Sequence, residues 1–274
     1  MNKTSKFDIS SASLHILAMT FMLMDHLWAT LLPASEWLTC VGRIAFPIFA
    51  FMTVEGYFHT HNLKKYISRM LFFAVVSEIP FDLMYGGTWF YPVHQNVIWT
   101  LLMGLAGIYL MEKVRSKGKL WLNVVVDVVI VLLGLILGTI CMVDYYGTGV
   151  LTIFIFYFFR KRKWWCLLGQ IICMYYLNVE MLGGLMYPVE FLGMEIELCE
   201  QGFAMLALIP IWLYKGRQGY HSKPFQYICY AFYPVHMLIL FLIIVVYPYA
   251  IFPLNKKRVL PPLTEMFPHK IISY

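Results

Sequence analysis

Two apolar stretches near the start of the sequence contain ionisable residues. Asp25 and His26 lie within the apolar run 14–32, and Glu55 lies within the apolar run 43–59. An ionisable side chain at membrane depth costs about 2.5–3.5 kcal/mol on insertion scales, so a chain keeps one where it is paired or used. Because histidine titrates near neutrality, His26 is suited to accept and return a proton. Asp25, His26 and Glu55 are therefore the first candidate functional residues, and the pair Asp25-His26 is suited to acid–base chemistry inside a membrane.

The composition is that of a polytopic membrane protein. Of the 274 residues, 61% are hydrophobic and only 13% are charged, whereas a soluble domain has about 25% charged residues. The net charge of +6 is typical of basic cytoplasmic loops, so we do not infer a nucleic-acid surface. The six cysteines have no zinc-binding spacing, and we predict no metal. We expect one domain over 1–274, with a short polar N-terminus 1–10 and a basic tail 252–274.

Seven spans are predicted in the first two thirds of the chain. They cover about 11–32, 43–58, 66–83, 95–111, 121–142, the stretch that ends at 160–163, and 164–177. The first has no small-residue cleavage site after it, so we expect it to be retained rather than removed as a signal peptide. Basic segments alternate strictly with segments that lack lysine and arginine: the N-terminus, 59–69, 112–119 and 160–163 are basic, and 33–42, 84–94 and 142–146 are not. This alternation predicts a cytoplasmic N-terminus.

The last third of the chain leaves two topologies open. The apolar segment 181–193 is short for a helical span of about 20 residues. If it is re-entrant, the chain has nine spans and an external C-terminus. If it crosses the membrane, the chain has ten spans and an internal C-terminus. Spans over 201–214 and 225–251 follow in both cases, and the fold class is an all-α, polytopic membrane helical bundle.

The predicted orientation places several polar residues in the outer half of the membrane. Glu78 and Asp82 are four residues apart and share one helix face, with Pro80 between them predicted to kink the helix. His236 lies beside Pro234 in the last span, which suits a cavity wall. We therefore predict one shared polar cavity. It would be lined by Asp25, His26, Arg43, Glu78, Asp82, Gln95, Asn96, Asp144 and His236, with Glu55 at its inner side.

A second polar group is predicted on the cytoplasmic side. It comprises Glu55, His59, His61, Lys64, Lys65 and Arg69. The preference for positive charge in cytoplasmic loops explains most of these cations. A more specific hypothesis is a binding site for an anionic cosubstrate, in which several cations together neutralise the charge of its phosphate groups.

Several sequence blocks resemble the TraX family, named for the conjugal F-pilin acetylase. They are Met-Asp-His at 24–26, Arg-Ile-Ala-Phe-Pro-Ile-Phe-Ala-Phe at 43–51, Glu-Gly-Tyr-Phe-His-Thr at 55–60, Ser-Glu-Ile-Pro-Phe-Asp at 77–82, Gln-Asn-Val at 95–97, Asp-Tyr-Tyr-Gly-Thr-Gly-Val at 144–150 and Phe-Tyr-Pro-Val-His at 232–236. The blocks keep the family order over about residues 14–240. The resemblance implies a membrane-embedded acyltransferase that moves acetyl from cytoplasmic acetyl-CoA to an exported peptide or glycan. It also implies His26 as the catalytic histidine and Arg43, Glu55, Glu78 and Asp82 as polar cavity residues.

Three functions remain open from the sequence. The first is an acetyl-CoA-dependent N- or O-acetyltransferase of the bacterial inner membrane, in which His26, His59, His61, Lys64 and Arg69 serve the reaction and the cosubstrate. Direct transfer and an acetyl-histidine intermediate are both compatible with it. The second is a proton-coupled transporter, which intramembrane carboxylates would also suit, although no internal repeat is detected. The third is a non-catalytic assembly factor for a surface appendage. An oligomer is compatible with all three.

Overall fold

The computed structural model describes residues 8–115, 119–191 and 193–246. Most of the predicted polar N-terminus and the whole basic tail 252–274 lie outside these residues. The α-helices are α1 Ser11–Thr30, α2 Trp37–Gly42, α3 Ala45–His59, α4 Leu63–Gly86, α5 Val97–Arg115, α6 Leu120–Ile140, α7 Tyr146–Phe158, α8 Trp164–Tyr175, α9 Leu208–Leu213 and α10 Lys223–Val246. A π-helical turn at Tyr176–Leu182 extends α8, and a 3₁₀ helix at Gln201–Ala207 precedes α9. Two strands, β1 Met186–Phe191 and β2 Met194–Cys199, lie between these two segments.

The described part of the chain is a helical membrane protein. Five helical stretches are long and apolar enough to cross a bilayer: Trp37–His59, Val97–Arg115, Leu120–Ile140, Trp164–Leu182 and Lys223–Val246. The apolar helices Tyr146–Phe158 and Gln201–Leu213 are shorter. The total of nine or ten spans and the cytoplasmic N-terminus stay predictions.

Helix bounds differ from the predicted spans by a few residues. The predicted span 43–58 begins earlier, because α2 and α3 together form one stretch from Trp37 to His59. The predicted span 66–83 is longer at both ends in α4, where the Asn62 side chain accepts a hydrogen bond from the Lys65 backbone and caps the helix. Pro80 lies inside α4.

The segment 181–193 does not form a membrane-spanning helix. Gly183 and Gly184 have positive φ angles, which end the preceding helical turn. The chain then forms an antiparallel hairpin of β1 and β2, with Glu190 opposite Glu195. A strand needs about 9–11 residues to cross a bilayer, and these strands have six. The described residues are mostly helical, as an all-α membrane bundle predicts, and this short hairpin is an addition to it. It forms where Met194 to Leu198 alternate apolar and acidic residues with the period of a strand.

The chain divides into two compact units. Of the described residues, those within 1–48, 76–91 and 183–274 form the first unit, and those within 49–75 and 92–182 form the second. In the second unit, α6 and α7 approach closely at Gly147, where a Cβ atom would overlap the backbone of Leu135. Close packing of α5, α6 and α7 forms the core of this unit.

In the first unit, α1 and α10 run side by side in the same direction. The backbone N–H of Ser11 donates to the Arg217 carbonyl at 2.8 Å, so the loop before α10 lies at the start of α1. At the other end, Ile244 near the end of α10 packs against Leu31, just after α1. The start and end of α10 therefore lie at opposite ends of α1. This arrangement favours the nine-span topology.

Candidate functional site

A pair of buried histidines joins α1 to α10. His26 Nδ1 lies 2.6 Å from His236 Nε2, and the two residues are 7% and 6% exposed, respectively. The ring planes differ by 9° and the ring centres are 4.9 Å apart. Rings stacked face to face with these centres could not bring two nitrogens to 2.6 Å, so the rings lie edge to edge in nearly one plane. A proton between the two nitrogens then points along an in-plane lone pair, which is the favourable hydrogen-bond geometry.

The hydrogen bonds assign the protons of this pair. His236 Nδ1 lies 2.6 Å from the Phe232 carbonyl oxygen, which only accepts, so His236 Nδ1 carries a proton. In a neutral ring, His236 Nε2 is then an acceptor, and His26 Nδ1 must be the donor. Neutral His26 consequently has its lone pair on Nε2. Within the described residues this atom makes no hydrogen bond, so it is the basic atom that remains for chemistry.

Aromatic side chains surround the histidine pair. The Tyr85 ring meets the His26 ring edge-on, with centres 6.0 Å apart and planes at 88°. Tyr233 lies 6.4 Å from the same ring, and Phe232 lies 4.7 Å from the ring of His236. Such an apolar setting disfavours a permanent charge on either imidazole. It therefore suits the neutral tautomers that the hydrogen bonds assign.

A second cluster surrounds the buried guanidinium of Arg43. Arg43 Nε and Nη2 lie 2.8 and 2.7 Å from Glu200 Oε1. The Nη2 group also donates to the Thr39 hydroxyl at 3.0 Å, and Asp25 Oδ1 lies 3.8 Å away. The Thr39 hydroxyl is 2.9 Å from both the Asp25 and the Glu200 carboxylate and donates its one proton to either. Glu200 is therefore the main ion partner of Arg43, and Asp25 is a weaker one.

Asp25 and His26 serve different clusters although they are neighbours in the sequence. Successive side chains on a helix point about 100° apart, so Asp25 faces α2 while His26 faces α10. The Gly42 backbone packs so closely on Asp25 that a Cβ atom there would overlap its side chain. Asp25 thus forms a longer ion pair with Arg43, at 3.8 Å.

The other carboxylates of this unit have separate roles. The Nδ1 hydrogen bond of the His26 ring goes to His236 and not to Asp82 or Glu78. Asp82 is buried, and its Oδ2 accepts a hydrogen bond from the Tyr91 backbone at 3.0 Å. Asp82 thereby anchors the loop after α4. Glu78 is half-buried on the same helix.

Gln95, Asn96 and Asp144, which were predicted for the cavity, belong to the second unit and make local contacts there. The Gln95 N–H donates to the Met142 carbonyl at 2.8 Å, and the Gln95 carbonyl accepts from the Asp144 N–H at 3.0 Å. The buried Asn96 caps α5 by accepting from the Ile98 backbone, and it donates to the Ala74 carbonyl. Asp144 lies 3.2 Å from His94 Nε2. One cavity shared by residues of five spans stays a prediction.

The predicted cytoplasmic group contains one ion pair that the sequence did not reveal. Arg160 Nε lies 2.8 Å from Glu55 Oε1, and the guanidinium stacks on the Phe58 ring at 4.2 Å. His59 Nε2 lies 3.3 Å from the other Glu55 oxygen but is 62% exposed. Glu55 is therefore part of this group rather than of the histidine site.

The remaining predicted cosubstrate residues are mostly at the surface. His61 and Lys64 are exposed, as is Lys65 beside them, whereas Arg69 is half-buried. Within the described ranges, no three histidine, cysteine, aspartate or glutamate side chains group as metal ligands.

Comparison with known proteins identifies the family. Residues 10–244 match the family described as TraX protein. The chain belongs to the TraX family. It is also 33% identical over 112 residues to the "Probable fimbrial assembly protein FimC, serogroup H1" of Dichelobacter nodosus, which is 37% of this chain. The match covers 46% of that relative's length, so the chain spans about half of it. No solved structure matches the chain.

Within this TraX-family chain, Glu200 is the main site residue that the sequence analysis missed. The sequence feature that could have indicated Glu200 is its position directly after a segment in which apolar and acidic residues alternate. In the structure Glu200 is 4% exposed. A carboxylate that is buried needs a cation, and Arg43 was the cation already predicted for the cavity.

Proposed function

We propose that this TraX-family protein is an acyltransferase embedded in the bacterial inner membrane. It would transfer acetyl from cytoplasmic acetyl-CoA to an amine or hydroxyl of an exported peptide or glycan. The observation that carries the proposal is the hydrogen-bond chain from the Phe232 carbonyl through His236 to His26. This chain leaves a basic Nε2 atom on a buried histidine, which is the atom that an acyl transfer needs.

The proposed step uses His26 as a general base. His26 Nε2 takes a proton from the acceptor nitrogen or oxygen while that atom forms a bond to the thioester carbonyl carbon. The carbon–sulfur bond then breaks, and the CoA thiolate leaves and takes up a proton. The acceptor's proton becomes acidic as its nitrogen or oxygen bonds to the carbonyl carbon, so the neutral Nε2 of His26 accepts the proton during that step.

His236 would stabilise the charge that forms in this step. When His26 becomes an imidazolium ion, its Nδ1–H still donates to His236 Nε2. The second ring thus shares the positive charge and keeps the reacting ring in its orientation, much as a carboxylate does in a hydrolase triad. An acetyl-histidine intermediate would use the same Nε2 atom and the same partner.

The Arg43 cluster would position the histidine rather than react. Asp25 is fixed to α2 through Thr39 and Gly42, so the turn of α1 that holds His26 has a fixed rotation. This rotation points His26 towards α10. A shift of about 1 Å in a reacting group is enough to cost roughly 10²-fold in rate.

Cosubstrate binding is proposed for the exposed basic residues at the start of α4. His61, Lys64 and Lys65 would bind the phosphates of CoA, because several mobile cations share phosphate charge effectively. His59 and Arg69, which were predicted for the same role, are less suited. His59 is paired with Glu55, and Arg69 is half-buried.

The test is a CoA-release assay with the purified full-length protein in lipid nanodiscs. Acetyl-CoA is mixed with a panel of peptides with free N-termini and of soluble glycans, and free thiol is measured over time. We expect acceptor-dependent thiol release that His26→Asn abolishes. Release that continues unchanged in a folded His26→Asn protein contradicts the proposed base.

A second candidate is a non-catalytic assembly factor for a pilus. It is favoured by the D. nodosus relative, whose name is that of a fimbrial assembly protein. The two candidates differ in living cells, because only an enzyme needs the Nε2 atom of His26. Normal pilus assembly in cells that carry His26→Asn, together with no thiol release from the wild type, would favour assembly over catalysis.

A further inference from the structure

The hairpin of β1 and β2 has two chemically different faces. The register pairs Glu190 with Glu195 and Pro188 with Glu197, so these side chains share one face. The opposite face contains Val189, Ile196, Leu198 and Met194. These four apolar residues are 39–60% exposed, so the rest of the described protein does not cover them.

The acidic face must contact water. Glu190 and Glu195 lie directly opposite each other, and like charges in this position are destabilising unless solvent screens them. The glutamates are exposed, and so is Glu197. A lipid or an apolar protein partner is therefore excluded from this face.

The apolar face requires a nonpolar environment. A two-stranded hairpin is at best marginally stable in water by itself. The next segment of the same unit continues the apolar surface, since Leu206, Ile209 and Leu213 are exposed along one face of Gln201–Leu213 while its other face is buried. An apolar row on a helix of a membrane protein faces lipid, and the hairpin directly precedes it.

The position of the hairpin in its unit fits a membrane boundary. Glu200 follows β2 and contacts Arg43, which lies next to the outer part of α1 near Asp25. The segment from Gln201 then runs to Tyr214, which pairs with Ile9 at the start of α1. The hairpin thus lies towards the end of this unit opposite the start of α1, where α10 also ends.

We infer that the hairpin Met186–Cys199 lies flat in the head-group boundary of the bilayer, with its apolar face in the lipid and its glutamates in water. Strands of six residues are too short to cross, but they are long enough to lie along the surface. Glu200 would then be held just beneath the boundary. This inference does not depend on the proposed acyl transfer.

Two methionines provide a test in the unaltered protein. Met186 lies on the acidic face and is 50% exposed, and Met194 lies on the apolar face and is 60% exposed. Without a membrane contact, a water-soluble oxidant would convert both to the sulfoxide at similar rates. In nanodiscs with one protein copy each, we expect Met194 to oxidise at least about tenfold more slowly than Met186.

The outcomes separate lipid from other partners. Equal oxidation of the two methionines in nanodiscs, or slower oxidation of Met186, overturns the inference. Protection of Met194 that requires an added apolar peptide also overturns it, since the apolar face would then bind a peptide rather than lipid. As a second measurement, spin labels at Ile196→Cys and Glu197→Cys in a cysteine-free background should show lipid contact at 196 and water contact at 197.

Discussion

His26 and His236 are 210 residues apart in the sequence, yet their rings share one hydrogen bond of 2.6 Å between α1 and α10. The direction of that bond follows from the Phe232 carbonyl at the far side of His236. The bond makes His26 Nε2 the basic atom, and it gives the two histidines different roles. His26 would react, and His236 would orient it.

Replacing His26 by asparagine should abolish acyl transfer without unfolding the protein. The asparagine amide occupies about the place of Nδ1, so it keeps a donor for His236 but has no base at the place of Nε2. We expect kcat to fall by at least about 10²-fold, the lower end for a general base. The measurement is CoA release at saturating acetyl-CoA. His26→Gln, which loses both the base and the Nδ1 donor, should be equally inactive and also less heat-stable.

Two substitutions of His236 should lower kcat by different amounts. In His236→Gln an amide oxygen replaces Nε2 as the acceptor, and in His236→Leu no acceptor is present. We expect His236→Leu to lower kcat by roughly 10–100-fold, as for groups that orient metal-bound histidines, and His236→Gln to lose clearly less. Equal losses in the two variants, with both folded, would contradict the role assigned to the hydrogen bond.

Sequence reasoning was effective where a local rule applies. Asp25, His26 and Arg43 were recognised because ionisable residues in apolar runs are rare. The bounds of α1 and α6 were predicted closely, since a long apolar segment of this kind is compatible with little other than a membrane helix. The pairing of His26 with His236 could not be predicted, because nothing local to either helix indicates which helix packs beside it.

The hairpin and Glu200 were missed for different reasons. The alternation of Met194 to Leu198 was a readable strand signal, and the high apolar content of the region concealed it. Glu200 required knowledge of a contact 157 residues away, with Arg43. The ion pair of Glu55 with Arg160 was also missed, because Arg160 lies 105 residues further along the chain.

Glu200 should contribute more to stability than Asp25. Glu200 and Arg43 are both almost fully buried, and removing one partner of a buried pair typically costs about 3–5 kcal/mol. Asp25 is more exposed and lies 3.8 Å from the guanidinium. We expect Glu200→Ala to lower the melting temperature in detergent well below that of Asp25→Ala. The double variant Arg43→Met, Glu200→Leu should recover much of the loss, because it removes both charges of the buried pair together. Equal shifts for the two alanine variants would contradict this ranking.

The exposed cations at the start of α4 should act on acetyl-CoA affinity. Changing His61, Lys64 and Lys65 together to glutamine should raise KM several-fold and leave kcat nearly unchanged, because phosphate contacts hold ground and transition states alike. The effect should shrink at high salt, since exposed charges are screened. As a control, Lys64→Arg with Lys65→Arg keeps the charge and should keep KM. An unchanged KM in the glutamine variant would leave these residues only the role of setting membrane orientation.

The parallel course of α1 and α10 predicts the side of the C-terminus. Because the loop that contains Arg217 is hydrogen-bonded to the start of α1, it must share the side of the N-terminus. The end of α10 near Ile244 lies at the other end of α1.

In a cysteine-free background, Lys215→Cys should react with an impermeant maleimide on the same side as a cysteine in an N-terminal tag. Trp89→Cys and a C-terminal tag should react on the opposite side, which the alternation of basic loops predicts to be external. If Lys215→Cys and the C-terminal tag react on the same side, α10 does not cross the membrane as a single span, and the nine-span topology is wrong.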